Sequence, residues 1–151
     1  MTQPTTDAIE REVRINARPE TIFAFFTDPE KMTRWKGISA ELDPRPGGVY
    51  RVNVTGQEIA RGAYVEVVPF SRVVFTWGWE EDPNLPPGAS TVEVTLTPDG
   101  SGTIVRLRHY GLNQEQQKSH AEGWEHYLAR LAPAGEGRDP GPDPWAATPM
   151  P

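Results

Sequence analysis

One stretch of this chain, Asn113 to Ala132, places apolar residues at helical spacing, and it follows six runs in which apolar and polar residues alternate. A helix of about 20 residues is roughly 30 Å long, the width of a small domain. Ala121, Trp124, Leu128 and Leu131 share its apolar stripe, and Asn113 with Gln116 three positions later is a capping-box pattern. The alternating runs are Ile9 to Ile15, VYRVNV (49–54), GAYVEVVP (62–69), RVVFTWGW (72–79), TVEVTLTP (91–98) and TIVRLRHY (103–110). Period two is the mark of half-buried strands. The links TGQEIA, Pro69 to Arg72 and PDGSG are short and rich in turn residues, which implies an antiparallel meander. EEDPNLPPGAS is a longer, proline-rich loop.

Between the first two runs the period changes. Pro19 suits a first helical turn, and Ile22, Phe23, Phe25 and Phe26 follow as a stripe. Asp28 caps a second short helix that begins with Pro29 and carries Met32 and Trp35 on one face. A single antiparallel sheet buries one long helix by curling around it. The expected fold is therefore α+β: a curved six-stranded antiparallel sheet wrapped around a long C-terminal helix, with two short helices between strands one and two.

A chain of 151 residues fits one domain. We place it over residues 8–132 and read 133–151, PAGEGRDPGPDPWAATPMP, as a disordered Pro/Gly-rich tail, too poor in apolar content to offset its ordering entropy. Trp145 is the one indole in that tail, either docked locally or free. A net charge of -6 gives no basic footprint, so neither nucleic acid nor an anionic membrane is an expected partner. There is no basic leader and no run of about 18 apolar residues, which leads to the expectation of a cytoplasmic protein. The lack of cysteine excludes disulfides, thiolate metal sites and a cysteine nucleophile.

The stretch VVFTWGWEED (73–82) bears most directly on function. In a strand, Val73, Phe75, Trp77 and Trp79 project from one face, either as filled core or as the wall of a pocket. His109 shares strand parity with Val105 and Leu107 and so points inward, and His120 precedes the helical stripe by one residue. His126 lies six residues after His120, which is not one face of a helix, and no metal motif is present. PDGSG joins two strands rather than a strand and a helix, so it is no phosphate loop. Glu80 to Asp82 reads as a solvated loop, and Arg106 and Arg108 as the outer face of a strand.

The pattern resembles the START-like or SRPBCC superfamily, and more narrowly its bacterial branch related to the activator of heat shock protein 90 ATPase. The residues that carry the likeness are ARPETIFAFFTDPEKMTRW, Gly47-Gly48 in RPGGVYRV, RGAYVEVVPFSRVVFTWGW, TVEVTLTPDGSGTIVRLRHYGL, and Gly123-Trp124 in the last helix. They span Ile9 to Leu131. The resemblance implies the helix-grip fold, with a cavity between the concave face of the sheet and the helix. On that scaffold Phe75, Trp77, Trp79, Trp124 and Tyr64 are the expected walls, Met32 and Trp35 stand near the entrance, and His109 or His120 anchors the polar end of a ligand. The expected partner is a hydrophobic or aromatic small molecule; no cofactor, metal or catalytic residue is assigned, and the sequence names no protein partner. The superfamily leaves two alternatives: an enzyme of aromatase/cyclase type, and a co-chaperone-like interaction protein.

Overall fold

Seven strands, not six, build the sheet. The computed structural model describes residues 8–145. In chain order they form β1 (Ile9–Ile15), α1 (Pro19–Thr27), α2 (Pro29–Met32), β2 (Ser39–Leu42), β3 (Val49–Asn53), β4 (Ile59–Val68), β5 (Arg72–Trp77), β6 (Ser90–Asp99), β7 (Gly102–Tyr110) and α3 (Gln114–Gly135). The spatial order is β1-β7-β6-β5-β4-β3-β2, with every pairing antiparallel. The additional strand, β2, is four residues long and pairs only with β3, from Ser39 opposite Asn53 to Leu42 opposite Tyr50. Four residues of an edge strand carry too little alternation to stand out in a sequence.

Alternation decides which side of the sheet meets the helix. Val92, Val94 and Leu96 of β6, Val105, Leu107 and His109 of β7, and Phe75 and Trp77 of β5 are buried, and they join Trp124, Tyr127, Leu128 and Leu131 of α3 in one core. Tyr50 stacks on Phe75 with ring centroids 4.1 Å apart, and the Tyr64 hydroxyl donates to the Phe26 carbonyl at 2.9 Å. On the outer face Arg106 pairs with Glu12, and Arg108 with Glu10 and Glu93. Such exposed pairs contribute about 0–1 kcal/mol each, so the core holds the fold.

Both expected helix starts form. Asp28 accepts from the Glu30 N–H at 3.0 Å; Asn113 accepts from the Gln116 N–H at 2.8 Å, and the Gln116 side chain accepts from the Asn113 N–H at 3.0 Å. The end of α3 differs from expectation. The helix runs through Pro133 to Gly135, because a proline in the last turn removes only one backbone donor while Ala134 and Gly135 are buried, the glycine against Ile15 and Ile22. Residues 136–145 then turn back along the helix. Arg130 donates to the Gly141 carbonyl at 2.9 Å, His126 donates to Asp143 at 2.8 Å, and Trp145 stacks on His126 with centroids 3.9 Å apart. Polar anchors on α3 thus order a segment that its composition assigns to a free tail; the remainder of that expectation, 146–151, lies outside the described residues. Among the described residues no helix is long and apolar enough to cross a membrane.

Candidate functional site

The two indoles of the WGW stretch reach the helix by different means. Trp77 ends β5, whereas Trp79 lies beyond it and is held by an isolated bridge to Ala60. Gly78 between them accepts from the Arg61 N–H at 2.8 Å, and Trp79 donates its N–H to the Leu85 carbonyl at 2.8 Å, which folds the proline-rich loop back over the strand. A side chain at Gly78 would place its Cβ 1.8 Å from the Pro86 carbonyl oxygen. Backbone cannot yield there cheaply, so Gly78→Ala is expected to cost about 1–3 kcal/mol in chemical denaturation and to weaken the loop's contact with Trp79.

That loop, α3 and the 54–59 turn border a half-open cavity of about 490 Å³. Trp77, Trp79, Trp124, Tyr127 and Leu85 give it apolar walls, with Lys36 and His120 as polar lining. Glu58, Glu81 and Asp82 add an acidic border. The third carboxylate of the acidic run, Glu80, pairs instead with Arg51 at 2.7 Å and Arg61 at 3.4 Å, which holds its carboxyl below the usual range.

Each histidine near the cavity is committed to one indole. Trp124 Nε1 donates to His109 Nδ1 at 2.9 Å. The Ser90 hydroxyl donates to the Trp77 carbonyl at 2.9 Å, so the 2.8 Å contact between His109 Nε2 and Ser90 Oγ has the imidazole as donor. Trp79 Nε1 donates to His120 Nε2 at 3.1 Å, and His120 Nδ1 donates to the Gln116 carbonyl at 2.8 Å. Both rings are thus neutral, with both nitrogens engaged. Burial, then the repulsion that His120 and Lys36 would add if protonated, pushes the His109 pKa down to about 2; burial also lowers His120. Unfolding therefore takes up protons at both sites once the pH falls below the free-histidine value near 6.5. The contribution of the two histidines to stability is expected to be complete above that value and to decline between pH 6.5 and about 4.5, before the carboxylates titrate, as urea unfolding at pH 7.5 and 5.5 would measure.

The third cavity indole has no such partner. Trp77 Nε1 is buried without an acceptor among the described residues. Above its ring lies Lys36, 3 % exposed, whose Nζ is 4.0 Å from the ring centroids of both Trp77 and Trp124 and 5.6 Å from that of Tyr127. No carboxylate pairs with it among the described residues, and burial lowers its pKa well below that of a free lysine. Gly37, at φ +88 and tight against Val52 and Asn53, makes the turn that directs Lys36 inward. Tyr127 faces Asp143; burial and then that carboxylate raise its pKa.

Residues 16–136 match the family described as activator of Hsp90 ATPase homolog 1-like protein, abbreviated AHSA1. The chain belongs to this family. The solution structure of an AHSA1-like protein from Rhizobium etli is 47% identical, with 97% of this chain and 92% of that one covered and a TM-score of 0.74. CalU16 from Micromonospora echinospora is 28% identical over 92% of this chain and 78% of its own, with a TM-score of 0.71. The Aha1 dimer from Colwellia psychrerythraea, at 16% identity, 87% and 97% coverage and a TM-score of 0.76, shares the fold. No curated protein matches the chain in sequence.

Of the nine residues expected to line the AHSA1-like cavity, Trp77, Trp79, His120 and Trp124 do so. His109 stands one layer behind, supporting Trp124. Tyr64 and Phe75 are buried in the core beside Tyr50. Met32 and Trp35 are not at an entrance: both are buried, Trp35 against Phe26 with its Nε1 donating to the Phe25 carbonyl at 3.0 Å, because the helical period ends at Met32 and the following turn exchanges Trp35 for Lys36. Lys36, Leu85, Tyr127 and Trp145 are among the lining residues that sequence reasoning misses. The only available signals were the glycine after Lys36 and the helical spacing of Tyr127 from Trp124.

Proposed function

We propose that this AHSA1-like domain binds a hydrophobic or aromatic small molecule in the cavity between α3 and the ends of β4 and β5. One observation carries the reading: four indoles, those of Trp77, Trp79, Trp124 and Trp145, and the phenol ring of Tyr127 line about 490 Å³ of space that the chain's own side chains leave unfilled. That volume falls within the roughly 300–1,000 Å³ of typical ligand pockets. Because His109 and His120 are held neutral with both nitrogens occupied, neither supplies a free base, which favours binding over histidine-driven chemistry of aromatase/cyclase type.

Calorimetric titration with 2-naphthol tests the proposal. A single saturable site with a negative heat-capacity change is expected. An absence of saturable heat with naphthol and with aliphatic alcohols of similar volume would retire it. A second reading, a surface for a protein partner, draws on Val65, Val68 and Phe70, exposed near the β4–β5 corner, where Phe70 meets Phe23 edge to face at 5.5 Å. A change in a chaperone's ATPase rate on adding the domain, abolished by Phe70→Ser, would support that reading instead.

A further inference from the structure

The ligand site holds an amine that the fold does not use. Lys36 makes no ion pair and its Nζ no hydrogen bond among the described residues, although a lysine this buried ordinarily has a partner. The titratable groups around it are His109 and His120, both neutral, and the neutral phenol of Tyr127; the carboxylates of Glu58 and Asp82 stand at the border of the cavity. Nothing in this shell serves as a counter-ion. An ammonium there hydrogen-bonds no oxygen among the described residues, whereas an uncharged amine has a free lone pair turned to the cavity it lines.

Charge at the border narrows what reaches it. Glu58, Glu81 and Asp82 all carry negative charge in a chain of net charge -6, so anionic ligands are repelled. A carboxylate is thus a poor partner for this lysine despite the lysine's basic character. Chemistry open to a buried amine lined by aromatic faces, in its uncharged form, is attack on an electrophilic carbon that enters with an uncharged aromatic group.

We propose that Lys36 is a carbonyl-capturing amine, condensing with an aldehyde or ketone borne on an aromatic ligand that occupies the cavity. The inference rests on the cavity being a ligand site. In the step, the Nζ lone pair forms a C–N bond to the carbonyl carbon as the C=O π pair moves to oxygen. A proton passes from nitrogen to that oxygen, giving a carbinolamine. The C–O bond then breaks, the hydroxyl leaves with a proton as water, and the nitrogen pair forms the C=N bond. No oxidant, reductant or metal is needed. The lowered pKa of Lys36 is in keeping with this role, since only the uncharged amine reacts.

The full chain supplies its own controls, because its lysines are Lys31, Lys36 and Lys118, and Lys118 is exposed. Incubation with 2-naphthaldehyde and cyanoborohydride at pH 7, followed by intact mass measurement and peptide mapping, reads the reaction directly. The expected product gains the mass of the aldehyde less one oxygen atom, with labelling of Lys36 exceeding that of Lys118 by about tenfold or more, and excess 2-naphthol suppresses it. Labelling spread over Lys31, Lys118 and the N-terminus without preference would overturn the proposal. So would labelling of Lys36 that naphthol leaves unchanged. If naphthol binds by calorimetry and Lys36 stays unlabelled, carbonyl capture fails and the binding reading stands; if naphthol does not bind either, both fail.

Discussion

Replacing Trp124 with alanine is expected to lower the unfolding free energy by about 3–5 kcal/mol, the range for removing a buried aromatic side chain. Three losses coincide. The indole is 3 % exposed and packs 5.5 Å from the Trp77 ring, so its removal opens space that its neighbours cannot fill. His109 Nδ1 loses its only donor and becomes a buried acceptor without a partner. Lys36 loses one of its two close ring faces. Trp124→Phe separates these terms: it restores most of the packing but leaves His109 unpaired, for an expected cost of about 1–3 kcal/mol. Trp145→Ala, at an indole 46 % exposed, should fall within about 1 kcal/mol of the parent. Urea unfolding of the three variants gives the ordering. A Trp124→Ala loss below about 1 kcal/mol would mean that the helix is not gripped through this ring.

Lys36→Met has the opposite expected sign. A buried ammonium forfeits several kcal/mol of hydration. Two close indole faces return about 2 kcal/mol each at best, and no acceptor takes its N–H groups. The balance lies on the uncharged side, and a methionine of similar length removes the polar atom altogether. The variant is expected to be about 1–3 kcal/mol more stable at pH 7. The pH dependence identifies the cause. The folded-state pKa of Lys36 lies well below 10.5, so between that lowered value and 10.5 the unfolded chain binds one more proton than the folded one. Stability of the parent therefore rises with pH through this window, and the variant lacks that rise. Buried Tyr50 and Tyr64, whose pKa values burial raises, reverse the trend only above about pH 10. Lower stability of Lys36→Met at pH 7 would show that the ring faces outweigh desolvation.

What could be read from the sequence followed periodicity. Where alternation persists for seven or more residues, as in β1, β6 and β7, the strand and its buried face were legible, including the inward turn of His109. The two-residue spacing of Trp77 and Trp79 set both indoles toward the helix, and the helical period brought Trp124 to meet them. Periodicity says nothing where it stops. Lys36 lies in the turn after a four-residue helix, and only the left-handed Gly37 redirects the chain there, so the spacing favoured Trp35 and the buried amine went unseen. Leu85 belongs to a loop whose return over β5 depends on a backbone contact at Gly78. Residues 136–145 are ordered by single polar anchors, Arg130 and His126, that composition does not weigh.

The central claim is that indoles of the sheet and of the helix together form the wall of a ligand site. The Nε1–H resonances of the indoles in a two-dimensional nitrogen-proton NMR titration with 2-naphthol report on it residue by residue. The account predicts that Trp77, Trp79 and Trp124 shift together along one saturating curve while Trp35, bonded to the Phe25 carbonyl behind the cavity, stays in place. Shifts at Trp35 equal to those of the other three, or no shift at any of them, would contradict it.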